Sequence, residues 1–195
     1  RIKQRPRAVL FDMDGVIVDS MPYHYLAWYE SLRPLGIRVS VFEVYLREGE
    51  RWDKSLRDFL RQSGARISAR RLDEIFKLRR KIFRYYFKRR IFEGAEGFLR
   101  CLKNKGYSLG LVTGTPLAEV KRILPPKIKS LFNVLITGEM VKLGKPSPAP
   151  YLKASEALGL KPKECLVVEN APLGIRSAKA AGMFCAAITT SLPKP

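Results

Sequence analysis

Hydrophobic positions fall into two regimes along this chain. Arg7-Ala8-Val9-Leu10-Phe11 is uniformly apolar after the arginine, the pattern of a strand buried on both faces of a parallel sheet. Similar short runs recur at Leu109-Gly110-Leu111-Val112, Val134-Leu135-Ile136, Cys165-Leu166-Val167-Val168 and Cys185-Ala186-Ala187-Ile188. Helical spacing lies between the later runs, at 95–105, 116–124, 150–158 and 172–181, the last stopped by Gly182. Strand alternating with helix predicts an α/β fold with a doubly wound, mostly parallel, Rossmann-like sheet. Right-handed crossovers would bring the C-terminal strand ends, and any site they carry, to one edge.

The second regime is helical and lies after the first strand. Residues 22–32 place Tyr25, Leu26, Trp28, Tyr29 and Leu32 at helical spacing. Asp53 is expected to cap a helix running to about Gln62, and Ser68 to open a long basic one. The long helix is expected to carry Leu72, Ile75, Phe76, Leu78, Ile82, Phe83, Tyr86 and Phe87 on its apolar side. Some seventy helical residues inserted after one strand predict a separate lid. The expected division is a core of 1–19 and 93–195 with a helical cap of 20–92.

Candidate chemistry sits where the strands end. Asp12-Met13-Asp14-Gly15 follows the first strand directly. Two carboxylates one residue apart can share a cation while one attacks and the other handles a proton, and Gly15 permits the turn that aims both at one point. A solvated turn is the plain alternative. A calcium-binding EF-hand loop is excluded, because its sixth and twelfth positions would be Ile17 and Tyr23. Thr113-Gly114-Thr115 after the second run offers hydroxyls and free amides for phosphate oxygens, or an ordinary polar turn. Lys145 in Gly144-Lys145-Pro146-Ser147-Pro148 could neutralise a nucleophile and a transferring phosphoryl group, or be merely solvated. This is no P-loop: five residues separate Gly138 from Gly144, and Pro146 stands where Ser or Thr should be. Glu169-Asn170 after the fourth run could complete a hard-cation site opposite Asp12, or cap the following helix.

Taken in order on four strand ends, these segments resemble the haloacid dehalogenase superfamily, over essentially the whole chain. The similar branch contains β-phosphoglucomutase and phosphoglycolate phosphatase and has a helical cap after the first strand. Phe11-Asp12-Met13-Asp14-Gly15-Val16 with Asp19-Ser20 is similar to its opening motif, and Gly144 to Pro148 to its lysine motif. Val167-Val168-Glu169-Asn170, with Gly174-Ile175 and Ala180-Ala181-Gly182-Met183, is similar to its fourth motif. The resemblance implies Asp12 as nucleophile, Asp14 as acid–base, and Thr113 and Lys145 on the phosphate, with Gly114 and Thr115 binding substrate. It implies magnesium at Asp12, the Asp14 carbonyl, Glu169 and Asn170. The implied activity is a phosphatase for small phosphorylated metabolites, of sugar phosphate or phosphoglycolate type, with β-phosphoglucomutase as the alternative. Within the expected cap, His24 lies near Asp12 in sequence, and Arg51 and Lys81 are candidates for the substrate's non-reacting end.

Three departures matter. Asn170 stands where the branch has a second acid, Ala149 replaces a common Asp, and the family's last strand and helix are absent. With a start at Arg1 and a stop at Pro195, both ends are expected to be trimmed.

Charge adds a second function class. The 195 residues carry a net charge of +19, a field that draws any anion, and 18 Lys/Arg face 8 Asp/Glu between Ser20 and Phe92. A nucleic-acid-binding protein is therefore the rival from another class. Without a zinc-finger, RRM or KH signature, and with charge this diffuse, only non-specific attraction to nucleic acid is expected. A catalytically silent relative is a further rival, prompted by Asn170. No run of about 18 apolar residues could cross a membrane. Cys101, Cys165 and Cys185 form no metal or redox pair and are expected to be small buried residues of a reducing cytoplasm.

Overall fold

A computed structural model describes residues 5–192 of the chain; Arg1 and Pro193-Lys194-Pro195, the ends expected to be trimmed, lie outside them. Strand β1 (Ala8–Phe11) is followed by four helices, α1 (Met21–Leu32), α2 (Val41–Leu46), α3 (Trp52–Gln62) and α4 (Ala69–Tyr86). Then come α5 (Ala95–Asn104), β2 (Ser108–Val112), α6 (Leu117–Ile123), α7 (Pro126–Lys129) and β3 (Val134–Ile136). The chain continues through α8 (Ala149–Ala157), β4 (Cys165–Glu169), α9 (Pro172–Ala180) and β5 (Phe184–Ala187). The five strands form one parallel sheet in the order β3-β2-β1-β4-β5, with helices on both faces, so the doubly wound α/β expectation holds.

Strand alternation explains why β1 is apolar throughout. Val9 and Phe11 point into one core with Leu109, Leu111, Leu99, Val120, Ile123 and Ile128, under α5, α6 and α7. Ala8 and Leu10 point into the other, with Val112, Val167, Tyr151, Ala154 and Ala178, under α8 and α9. A strand sandwiched between two helical layers has no face left for polar residues. Phe11 also meets Phe98 and Phe132 edge-on, with centroids 6.2 and 6.3 Å away.

Helices α1 to α4 have a third apolar cluster of their own, built on Met21, Trp28, Leu32, Val44, Leu56, Phe59, Leu60 and Ile75. Ser40 starts α2 with a capping box: its Oγ accepts from the Glu43 amide at 3.1 Å while the Glu43 carboxylate accepts from the Ser40 amide at 2.8 Å. Neither α2 nor the short α7 was anticipated from periodicity, each being under two turns. At α3 the expected cap is displaced: Arg51 holds the N-cap position, and Asp53, the second residue of the helix, accepts from Arg51 Nε at 3.0 Å. On α4 the apolar stripe is narrower than expected. Ile75 and Phe83 are buried, while Leu78 and Tyr86 are exposed. Cys101 is exposed too, against expectation, because it lies two residues beyond the buried Leu99 on α5 and so about 200° round the helix.

Truncating Phe11 should test this core. Phe11→Ala leaves a void between β1, Phe98 and Phe132 and should lower unfolding free energy by about 3–5 kcal/mol in urea titration. A loss under 1 kcal/mol would mean that the site-bearing strand is not packed as described.

Candidate active site at the edge of the parallel sheet

Adjacent strands β2, β1 and β4 end side by side, and the segments that follow them form the site. β1 delivers Asp12 and Asp14, β2 delivers Thr113-Gly114-Thr115, and β4 delivers Glu169 and Asn170. Lys145 arrives from the loop between β3 and α8. After β1 the chain turns back sharply: the amides of Ile17 and Val18 both donate to the Met13 carbonyl, and Gly15 takes φ +78°. That turn aims both aspartates inward.

Lys145 joins three of these segments. Its Nζ donates to Asp12 Oδ1 at 2.5 Å, Glu169 Oε1 at 2.6 Å and the Val112 carbonyl at 3.1 Å, which uses all three ammonium protons. Burial would lower its pKa, but Asp12 and Glu169 outweigh this and raise it. Tyr151 on α8 lays its ring 5.2 Å from the same nitrogen and donates its hydroxyl to Glu169 Oε1 at 3.0 Å.

Glu169 is correspondingly committed. Oε1 accepts from Lys145 and Tyr151, and Oε2 accepts from the amides of Asn170 and Ala171 at 2.9 and 3.0 Å. Four donors occupy the carboxylate's four lone-pair directions, so in this arrangement it anchors Lys145 and has no lone pair open for the expected metal. Gly174 on α9 makes the room, since a β-carbon there would stand 1.6 Å from Glu169 Oε1. Nor does Asn170 cap α9: the N-cap is Ala171, and the Asn170 amide nitrogen instead donates to Ser191 at 2.8 Å.

Asp12 is asymmetric. One oxygen is held by Lys145, and the other, Oδ2, is buried with no hydrogen-bond partner. Burial pushes its pKa up to about 8 against the pull of Lys145, with Glu169 and Asp14 adding to the rise. Asp14 is fully engaged. Ser20 donates to Oδ1 at 2.5 Å, His24 Nε2 lies 3.0 Å from the same oxygen, and Thr115 donates to Oδ2 at 3.0 Å. Thr113 Oγ1 lies 3.5 Å from Oδ2 and accepts from the Thr115 amide at 3.1 Å. Burial alone would raise Asp14, but the donors His24, Ser20 and Thr115 together hold it below the usual carboxylate range.

The inserted helices complete the enclosure. Arg79 on α4, 1% exposed, lies between Trp28 and Trp52, with its guanidinium carbon 4.3 and 4.0 Å from the two rings. Its Nη2 donates to His24 Nδ1 at 3.1 Å, while Nε and Nη1 have no partner. Guanidinium only donates, so Nδ1 must accept and Nε2 must carry the proton given to Asp14. His24 therefore links Arg79 to Asp14 through its two ring nitrogens. A small cavity of about 40 Å³ remains among Asp14, His24, Glu48, Arg79, Gly114 and Thr115. Gly114 is pressed against the loop before α3; a β-carbon there would meet the Gly49 carbonyl at 2.7 Å.

Of the candidates on the inserted helices, His24 is in the site and the other two are not. Arg51 donates to the carbonyls of Val141 at 3.2 Å and Lys142 at 2.9 Å, clasping the loop that carries Lys145. Lys81 stands exposed, because two residues along α4 from Arg79 is over half a turn away. Sequence reasoning missed Ser20, Glu48, Arg79 and Tyr151. Arg79 was hidden in the basic run Lys77, Arg79, Arg80, Lys81, where only its 3.6-residue spacing from the apolar Ile75 and Phe83 marked it.

Among the described residues, no group of three or more His, Cys, Asp or Glu is arranged to hold a metal, and no helix is long and apolar enough to cross a membrane. Open oxygen donors do exist at Asp12 Oδ2 and Asn170 Oδ1, both buried without partners. They are hard ligands of the kind magnesium takes, but one of them is an amide.

Known proteins resemble this chain over most of its length. Hexitol phosphatase A of Escherichia coli (strain K12) is 34% identical over 98% of this chain and 87% of its own length. The β-phosphoglucomutase of Bacillus subtilis (strain 168) is 28% identical over 96% of this chain and 85% of its own. A solved structure of a candidate β-phosphoglucomutase from Bacteroides vulgatus superposes with a TM-score of 0.87 at 34% identity, covering 97% of this chain and 78% of that one. A family model described as haloacid dehalogenase-like hydrolase matches residues 6–182, which include every strand end of the site, and the chain belongs to that family.

Proposed function

We propose that this enzyme is a magnesium-dependent phosphatase that hydrolyses small phosphorylated metabolites, of sugar phosphate or phosphoglycolate type, through an aspartyl-phosphate on Asp12. The observation that carries this reading is the free Asp12 Oδ2, a buried carboxylate oxygen at the end of the central strand whose twin is held by Lys145. Relatives named as a hexitol phosphatase, a phosphorylated carbohydrates phosphatase and a phosphoglycolate phosphatase support the substrate class.

In the first step Oδ2 attacks phosphorus in line, and the bond to the leaving oxygen breaks as Asp14 protonates that oxygen. The doubly charged phosphate beside Asp14 raises its pKa and so supplies the acid form. In the second step Asp14 takes a proton from water, which attacks phosphorus and frees Asp12. Magnesium would be held by Asp12 and Asn170 Oδ1 and would neutralise charge on the phosphoryl oxygens. Lys145 keeps Asp12 oriented and offsets charge from the other side. Thr113, Gly114 and Thr115 line the phosphate's place.

Residues 20–92 act in this reading as a cap over a core of 1–19 and 93–195. The 40 Å³ cavity is too small for a sugar phosphate, so α1 to α4 must lift for substrate to enter and then close to exclude water. Arg79, with its Nε and Nη1 free, takes the role foreseen for Lys81 and receives the substrate's polar end. That arrangement also favours a second reading, since a buried guanidinium could hold the second phosphate of a mutase intermediate.

Two measurements decide these points. Asp12→Asn should keep its circular dichroism and melting transition but lose roughly three or more orders of magnitude in magnesium-supported phosphate release; turnover within tenfold of wild type would remove Asp12 from the nucleophile's place. Given β-glucose 1-phosphate with a trace of the 1,6-bisphosphate, the enzyme should release inorganic phosphate faster than it forms glucose 6-phosphate. The opposite order would establish the mutase.

A further inference from the structure

Glu48 is the most unusual charge in the molecule. It lies in the short segment between α2 and α3, on the inserted helices, yet is only 4% exposed, and both its carboxylate oxygens lack hydrogen-bond partners. It sits over the turn that carries Asp12 and Asp14. A β-carbon at Gly15 would meet Asn170 Nδ2 at 2.1 Å and Glu48 Oε1 at 2.6 Å, so these two side chains lie side by side there. The Asn170 amide touches Glu48 but gives its well-formed bond to Ser191, and its own Oδ1 is unpartnered.

Among the described residues, no cation pairs with Glu48. Lys145 has spent its three protons on Asp12, Glu169 and Val112. Of the basic groups near it in sequence, Arg47 and Lys54 pair with Glu50 and Asp58, and Arg51 with Asp53. A buried carboxylate facing other carboxylates must either hold a proton or be joined to them by something positive. The unpartnered buried oxygens of these residues are Asp12 Oδ2, Asn170 Oδ1 and the two of Glu48, all of them hard donors.

We infer that Glu48 is a ligand of the divalent cation, delivered by the inserted helices when they close, and that it supplies the negative charge Asn170 does not. This rests on the magnesium-dependent reading above and adds to it. A cation that gains a ligand only in the closed arrangement favours closure, and closure by the same factor tightens the cation.

The test is titration calorimetry of Mg²⁺ into the metal-free protein without substrate, with thermal melts alongside. Wild type should bind one Mg²⁺, and Glu48→Gln should bind it ~10-fold more weakly or worse. The metal-free melting temperature of Glu48→Gln should be equal or higher, because an unbalanced charge has gone, while its rise on adding Mg²⁺ should shrink. A merely structural glutamate predicts the reverse, with a lower metal-free melting temperature and unchanged Mg²⁺ affinity. Either that result or a Glu48→Gln protein that does not fold overturns the inference and leaves the phosphatase reading standing. A wild-type protein that binds no Mg²⁺ would overturn the magnesium-dependent reading itself.

Discussion

Three acidic side chains, Asp12, Asp14 and Glu169, are buried at the ends of two neighbouring strands, and such a cluster would push itself apart without a counter-charge. The Nζ of Lys145 supplies it, at 2.5 Å from Asp12 and 2.6 Å from Glu169. Buried like charges repel far more strongly than solvated ones, so the join between β1 and β4 depends on this ammonium group. Much of the surrounding sequence makes space for it. Gly49 leaves room, since a β-carbon there would come within 2.8 Å of the Lys145 side chain. Gly174 does the same for Glu169, and Tyr151 closes the remaining side with its ring and hydroxyl. These residues hold the pair in one geometry, and so keep one Asp12 oxygen occupied and the other free.

The +19 net charge takes on a different meaning in the folded molecule. Several arginines of the inserted helices are used as mechanical ties to the sheet layer. Arg51 holds the carbonyls of Val141 and Lys142, Arg84 pairs with the buried Glu119 on α6, and Arg89 donates to the carbonyls of Ile123 at 2.9 Å and Arg122 at 2.6 Å. The last two carbonyls lie at the C-terminus of α6, where a cation also meets the negative end of the helix dipole. A planar guanidinium suits this work because it bridges two acceptors at once. Part of the excess charge thus closes the site rather than attracting a polyanion.

The sheet and its strand ends were legible in the sequence because their signals are local. An apolar run ending in Asp12 or Glu169 needs no partner to be recognised, and each strand was placed within a residue or two of its observed bounds. What could not be read was whatever depends on distant segments meeting. Glu48 and Arg79 look like solvated charges until α2 and α4 are folded over β1. The choice between Arg79 and Lys81 turns on helix phase, which a run of basic residues conceals. Glu169 was recognisable as a site residue, but its commitment to Lys145 depends on Tyr151 and on a loop 24 residues away in the chain. Asp53 misled because a good capping residue lay two positions past the N-cap, where it binds Arg51.

The sandwich around Arg79 also gives the molecule an optical property. The chain has two tryptophans, and these are the Trp28 and Trp52 that face the guanidinium from α1 and α3. All indole emission therefore originates within one shell of the His24–Asp14 pair. A nearby cation and the polarity of the cavity both shift indole emission, so the intrinsic fluorescence of the whole protein reads out a single locality. Any event that parts α1, α3 and α4, or that neutralises Arg79, changes the signal without an added label.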